Sequence, residues 1–238
     1  MLHHEISGNG KKPLVLLHGF MENTTIWEEM EAHLSKDFTL IKIDLPGHGK
    51  SKVYQEIHTV ELMAEKVKEV IDALKLEKIN LLGHSLGGYV SLAFAEKFPE
   101  ILESMTLFFS TTLADDDEKK QIRRRSIAVI DENFETFVKT SIPNLFSNNE
   151  KDILEGKIEL AKNIAKSTDK EGVKAAQLGM AERPDRTEIL ENLDAKILII
   201  AGKYDNAVKT ENLLKIIPEK TNIKTYVLDC GHNGHWEK

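Results

Sequence analysis

Short, nearly unbroken apolar runs alternate along this chain with longer stretches in which apolar residues recur every three or four positions. Residues 14–17, 39–43, 79–82, 105–109, 197–201 and 224–228 are six such runs. A run with no polar alternation reads as a strand buried on both faces. Residues 2–6 read as an antiparallel edge strand, turned by Ser7-Gly8-Asn9-Gly10. Between the runs, Val60, Met63, Val67, Val70, Ile71 and Leu74 form one helical stripe with Thr59 as its cap. A second helix is predicted over 86–98, stopped by Pro99. Parallel strands joined by helices cross over right-handed, so the pattern predicts an α/β three-layer sandwich around a mostly parallel sheet.

Residues 111–185 break this rhythm. They hold no strand pattern but several amphipathic segments, 118–129, 134–141, 152–165 and 171–180. The expected organisation is a core of residues 1–110 and 186–238 with a helical lid, 111–185, inserted between two parts of one sheet. Asp115-Asp116-Asp117 followed by Arg123-Arg124-Arg125 reads as a solvated helix start matched to the helix dipole.

Composition narrows the function classes. With 41% hydrophobic and 30% charged residues in 238, the chain is an ordinary globular domain that can bury its own core. The net charge of −7 argues against a nucleic-acid partner. The longest apolar runs are too short to span a membrane, and no signal peptide is visible at the start. The single cysteine, Cys230, allows no intrachain disulfide, which fits a cytoplasmic location and equally a periplasmic protein without disulfides.

The candidate chemistry lies at the carboxyl ends of the runs. Gly83-His84-Ser85-Leu86-Gly87 follows the third run and opens a helix. A G-x-S-x-G motif in that setting projects a serine from a sharp turn, and its glycines remove side chains that would collide there. A serine needs a base. His232 follows Gly231 directly at the exit of the last run and is preferred to His235, which then serves as a loop residue or a minor contact to the lid. A base needs an acid to orient it. Asp205, past the fifth run, reads as that acid or as a simple turn residue. Two backbone N–H groups should hold an oxyanion: that of Leu86, and that of Phe20 with Met21 in reserve. His18 reads as a structural brace of that loop, and Met21 and Tyr89 as pocket residues. Asp44 to Ser51 carries Gly-His-Gly-Lys-Ser, which lacks the spacing of a phosphate loop and reads as a strand exit that shapes the floor of the site.

His18-Gly19-Phe20, Asp44 to Ser51, Gly83 to Gly88, Gly202 to Asp205 and Gly231-His232, taken together and in this order, resemble the α/β-hydrolase superfamily, specifically its small lid-bearing serine hydrolases and esterases. The resemblance implies a small-molecule substrate, hydrolysis through an acyl-enzyme on a Ser85-His232-Asp205 triad, and no cofactor or metal. Serine at the nucleophile position argues against the dehalogenase and epoxide-hydrolase branches, which carry aspartate there. The resemblance also implies a long helix after the histidine, whereas this sequence runs six residues past His232, to Lys238. Either a face of the last strands is uncovered or meets a partner, or, in a truncated chain, the histidine loop is less firmly held. Three functional readings stay open: a serine esterase or thioesterase on a small to medium, partly apolar substrate; a carbon–carbon bond hydrolase; and a receptor-like homologue with little turnover. Lid residues Phe134, Phe137, Val138, Ile142, Leu145 and Phe146 supply apolar surface, part of it for the core. Arg183 reads as a substrate-carboxylate partner or a hinge salt bridge.

Overall fold

The computed structural model describes residues 1–149 and 152–238. In chain order the elements are β1 (His4–Ser7), β2 (Lys12–Leu17), α1 (Glu28–Leu34), β3 (Phe38–Ile43), α2 (Val60–Ala73), β4 (Ile79–His84), α3 (Leu86–Lys97) and β5 (Leu102–Phe108). The helical insertion follows, with α4 (Asp117–Ser141), α5 (Glu155–Ser167) and α6 (Lys170–Glu182). The chain then returns through α7 (Glu188–Asn192), β6 (Lys196–Gly202), α8 (Thr210–Leu214), β7 (Ile223–Leu228) and α9 (Gly234–Glu237). The strands form one sheet in the order β1-β3-β2-β4-β5-β6-β7, antiparallel only at β1.

Burial on both faces explains the apolar runs of the inner strands. The run at 224–228 departs from that expectation, because it is the edge strand β7, with Tyr226 and Val227 56% and 44% exposed. Val15 and Leu17 of β2 point into one core with the stripe of α2 and with α3. Leu14 and Leu16, one position out of phase, point into a second core with Trp27, Phe108 and residues of α4 and α5. The period-two pleat thus feeds two cores from one strand. Thr59 caps α2 through its side chain, which accepts from the Leu62 N–H at 3.1 Å.

Segments 118–129 and 134–141 lie within α4 on either side of a break at Asn133, whose backbone is not helical (φ −154°, ψ 86°). The Asn133 side chain accepts from the Thr136 N–H at 2.9 Å, so it acts as an internal N-cap that restarts the helix. Val138, Ile142 and Phe146 are buried in the second core, with Phe134 and Phe137 packed beside it. Among the described residues no helix is long and apolar enough to cross a membrane.

Candidate active site

Ser85 sits between β4 and α3 with φ 50° and ψ −111°, a conformation that strains any residue bearing a Cβ. Its neighbours fix the turn. The Ser85 N–H donates to the Phe108 carbonyl at 3.0 Å, and the Ser110 hydroxyl donates to the Ser85 carbonyl at 2.8 Å. A Cβ at Gly83 would lie 2.2 Å from the Gly87 carbonyl oxygen, and one at Gly87 would lie 2.3 Å from that of Leu17. Both positions therefore require glycine.

Three distant segments meet at this turn. His232 Nε2 lies 2.7 Å from Ser85 Oγ, and His232 Nδ1 lies 2.7 Å from Asp205 Oδ2. Asp205 is itself fixed, since its Oδ1 accepts the N–H groups of Ala207 and Val208, each at 2.8 Å. A proton on Nδ1 facing the carboxylate leaves Nε2 with a lone pair toward the hydroxyl, the tautomer a base needs. The His232 loop is held from two sides. Its N–H donates to the Leu145 carbonyl at 2.8 Å, and the buried Glu237 carboxylate accepts from the N–H groups of Gly231 and Ser147 at 2.9 and 3.1 Å.

Leu86 is the first residue of α3, where an N–H has no acceptor within the helix. Neither it nor the Phe20 N–H donates to a protein atom among the described residues. A cavity of about 180 Å³ opens over Ser85, lined by Phe20, Tyr89, Leu145, Met180 and Ala207 together with Glu22, Lys119 and Arg123. It is smaller than the ~300–1,000 Å³ of drug-sized pockets, so it fits a short substrate. Met21 is not in its wall, contrary to expectation. Met21 adopts φ 59°, which turns its side chain, 2% exposed, away from the serine and into the second core beside Trp27. Tyr89 lines the cavity as expected.

His18 braces its loop, with Nε2 accepting the Leu45 N–H at 2.9 Å and Nδ1 facing the Gly19 carbonyl at 2.7 Å. Residues 44–51 do not reach the cavity. The Asp44 carboxylate fills the middle of that turn, accepting the N–H groups of Thr24 and Lys50 at 2.9 Å each. His48 lies behind Phe20, edge-on to its ring. Arg183 is a brace: it is buried, donates to Asp115 at 2.8 Å, and stacks 3.9 Å over the Tyr89 ring. Asp115 departs from the solvated-start expectation, being 4% exposed and paired with Arg123 and Arg183. Burial pushes the Asp115 carboxyl up, but these guanidiniums outweigh it and hold it at about 2.

Sequence reasoning missed a second carboxylate–imidazole pair. Glu22 Oε2 accepts the Gly19 N–H at 2.5 Å and lies 2.9 Å from His84 Nδ1, and His84 Nε2 lies 3.1 Å from the His232 carbonyl. Burial pushes the Glu22 carboxyl up, but the His84 charge outweighs it and holds the carboxyl at about 2. Burial likewise opposes the charge on His84, and Glu22 overrides it, raising the imidazole above its ordinary value. His235, expected as a loop residue or a minor lid contact, is buried in α9 with its ring 4.8 Å from that of His84. Burial and the His84 charge push it down to about 3, so it stays neutral. The only local signals were an acid in the loop after β2 and a histidine inside the serine motif. Among the described residues no group of three or more His, Cys, Asp or Glu is arranged to hold a metal ion.

Comparison with known proteins gives the geometry a context. A family model described as the alpha/beta hydrolase fold matches residues 12–238. A thermophilic esterase from Thermogutta terrifontis, solved with malate bound, superposes with a TM-score of 0.93 at 32% identity, covering 99% of this chain and 88% of that one. A 2-hydroxy-6-oxononadienedioate/2-hydroxy-6-oxononatrienedioate hydrolase from Escherichia coli is 27% identical over 249 residues, covering 99% of this chain and 86% of its own. An uncharacterized protein of Mycobacterium tuberculosis is 35% identical over 102 residues, 43% of this chain, and the match spans only 30% of that relative's length.

Proposed function

The chain belongs to the α/β-hydrolase fold family and is an enzyme of that type, and we propose that it hydrolyses a small to medium, partly apolar ester or thioester through an acyl-enzyme on Ser85. The observation that carries the reading is the unbroken line from Asp205 through His232 to Ser85, with 2.7 Å at each step.

In this reading His232 Nε2 takes the hydroxyl proton as Ser85 Oγ bonds to the substrate carbonyl carbon. The resulting oxyanion accepts the N–H groups of Phe20 and Leu86, which lack protein acceptors among the described residues. When the tetrahedral species collapses, the bond to the leaving group breaks and His232 returns its proton to that oxygen or sulfur. Water then repeats the sequence on the acyl-enzyme, giving its proton to His232, and releases the acid with Ser85 restored. Asp205 holds the tautomer and offsets the imidazolium charge at each stage. Residues 111–185 serve as a lid in this reading, supported by the places of Lys119, Arg123, Leu145 and Met180 in the cavity wall.

A fluorophosphonate should label wild-type protein at Ser85 and leave Ser85→Ala unlabelled. The same variant should lose roughly a million-fold in turnover of a small activated ester while keeping its melting temperature. Retained turnover in Ser85→Ala would overturn the reading, and failure of the wild type to label would favour a receptor-like homologue. The Escherichia coli relative, alike over 99% of this chain, favours one second reading, cleavage of a carbon–carbon bond beside a ketone by the same residues. A panel holding activated esters and a 2-hydroxy-6-oxo-dienoate decides between them.

A further inference from the structure

Two cations, Lys119 and Arg123, share the cavity with Ser85. They sit one helical turn apart on α4, so they present their charge from the same helical face. Neither has spent its hydrogen-bonding capacity. Lys119 Nζ makes one hydrogen bond, to the Ala207 carbonyl at 2.9 Å, and approaches Asp115 only to 3.7 Å. Arg123 donates through Nε to Asp115 and through Nη1 to Gln177 and Met180, at 3.1 and 3.3 Å. Its Nη2 group donates to no protein atom among the described residues.

The carboxylates around these cations already have partners. Asp115 faces three cations, Lys119, Arg123 and Arg183. Asp185 also acts on Arg183, which leaves two carboxylates against three cations. Asp116 and Glu118 are exposed at the outer groove and do not line the cavity. Glu22, the one acid among the described residues that line the cavity, is matched by His84. Asp205, bonded to His232, is a fourth carboxylate at the site, so the charges balance. What remains beside the serine are donors on Lys119 and Arg123 that meet no protein acceptor among the described residues, and a hydrogen bond from a cationic donor to a carboxylate is charge-assisted.

We infer that the substrate carries a carboxylate, which is held by Lys119 and Arg123 while Ser85 attacks the scissile carbonyl. The cavity volume of about 180 Å³ fits a short carboxylate. Lys119 also borders the outer groove of about 610 Å³ together with Ala207, so its bond to the Ala207 carbonyl lies where the two spaces meet. An arriving carboxylate would take over that ammonium from the neutral carbonyl. The inference rests on the serine hydrolase reading and adds the class of its substrate.

The test compares esters matched in length but not in charge. One pair is the mono-4-nitrophenyl ester of glutaric acid against 4-nitrophenyl pentanoate. The other is 4-carboxyphenyl butyrate against phenyl butyrate, with the carboxylate in the leaving group. In at least one pair the charged ester should have the higher kcat/KM by about tenfold or more, the scale of one charge-assisted hydrogen bond. Lys119→Glu should bring that ratio to about one or below, and Arg123→Lys should lower it less. Glutarate should inhibit wild-type turnover of the uncharged ester competitively, at a concentration about tenfold lower than glutaramide, a comparison that needs no variant to fold. Equal or inverted ratios in both pairs, or equal inhibition by glutarate and glutaramide, would overturn the inference. Ser85→Ala separates the two failures: if it loses turnover while the charge preference is absent, the serine reading stands and only the substrate class falls.

Discussion

Two carboxylate–imidazole pairs lie side by side behind the serine, with the rings of His232 and His84 5.2 Å apart. Asp205–His232 and Glu22–His84 use the same groups, both are buried, and both are bonded at under 3 Å. They differ in what the second ring nitrogen meets. For His232 it is the Ser85 hydroxyl, which can give up a proton. For His84 it is the His232 backbone carbonyl, which can only accept. An imidazole between a carboxylate and a hydroxyl needs one proton and keeps a lone pair for catalysis. An imidazole between a carboxylate and a carbonyl donates at both nitrogens, which only the cation can do. His84 is therefore held charged as a bolt joining the Gly19 loop, through Glu22, to the His232 loop. Under the proposed mechanism, neighbouring pairs of the same chemistry thus become a base and a brace through one acceptor.

The largest expected effect separates the two histidines. His232→Ala should cost roughly a million-fold in turnover of an activated ester. His84→Ala should cost far less, because no proton passes through it. Equal losses would erase the distinction. The acids come next. Asp205→Asn should cost on the order of 10⁴ in kcat by disturbing the tautomer, with little change in thermal stability. Glu22→Gln should do the reverse. It leaves a buried imidazolium unmatched, a cost of roughly 3–5 kcal/mol. At about 2–4 °C per kcal/mol for a chain this long, the melting temperature should fall by roughly 6–20 °C. A melting temperature within about 2 °C of wild type would show that Glu22 and His84 are not an ion pair.

A smaller effect follows pH. The Glu22 carboxyl is held at about 2, so its contribution is complete above the ordinary value of 4.5 and fades as pH falls toward 2. The His84 imidazole is raised above 6.5, so its contribution is complete below 6.5 and fades as pH rises through the raised value. The melting-temperature gap between wild type and Glu22→Gln should thus be widest between about pH 4.5 and 6.5 and close on both sides. His235 and His48, both pushed by burial to about 3, work in one direction only. They stay neutral in the folded chain and charge in the unfolded one, so stability falls as pH drops from about 6.5 toward 3. His235→Phe should soften that acid limb, and calorimetry across the range would read it.

The smallest effect belongs to the loops that the brace joins. Glu237→Gln weakens the bonds from Gly231 and Ser147, and should cost about 1–3 kcal/mol of stability with a modest fall in kcat. An unchanged melting temperature would mean that the His232 loop is held by the Leu145 carbonyl and the Glu22–His84 pair without it.

Much of this was legible before any coordinates. All six apolar runs overlap strands of the sheet. In the inner strands burial on both faces leaves no room for polar alternation, whereas β7, at the sheet edge, is half exposed and its run was misread as doubly buried. The meeting of Ser85, His232 and Asp205 followed from their places at strand exits, since parallel strands deliver their carboxyl ends to one rim. Glu22 and His84 were not legible as a pair. They are 62 residues apart and meet only because β4 lies beside β2, and neither has a periodicity that marks it. Met21 was misread because its direction depends on a left-handed φ that non-glycine residues seldom adopt. Asp115 was misread because the α4 start looks the same whether its acid faces water or is clasped by Arg183, which lies 68 residues on.

By itself, then, the order of apolar runs, turn glycines and strand-end polar residues determined the sheet, its crossovers and the meeting of Ser85, Asp205 and His232. These are consequences of local periodicity and of one-directional strands, which the chain carries in every short window. The tertiary structure alone decided which imidazole is charged, which acid is clasped and where the positive charge by the serine lies. Charge and burial depend on what packs across the fold, and no stretch of sequence holds both sides of such a contact.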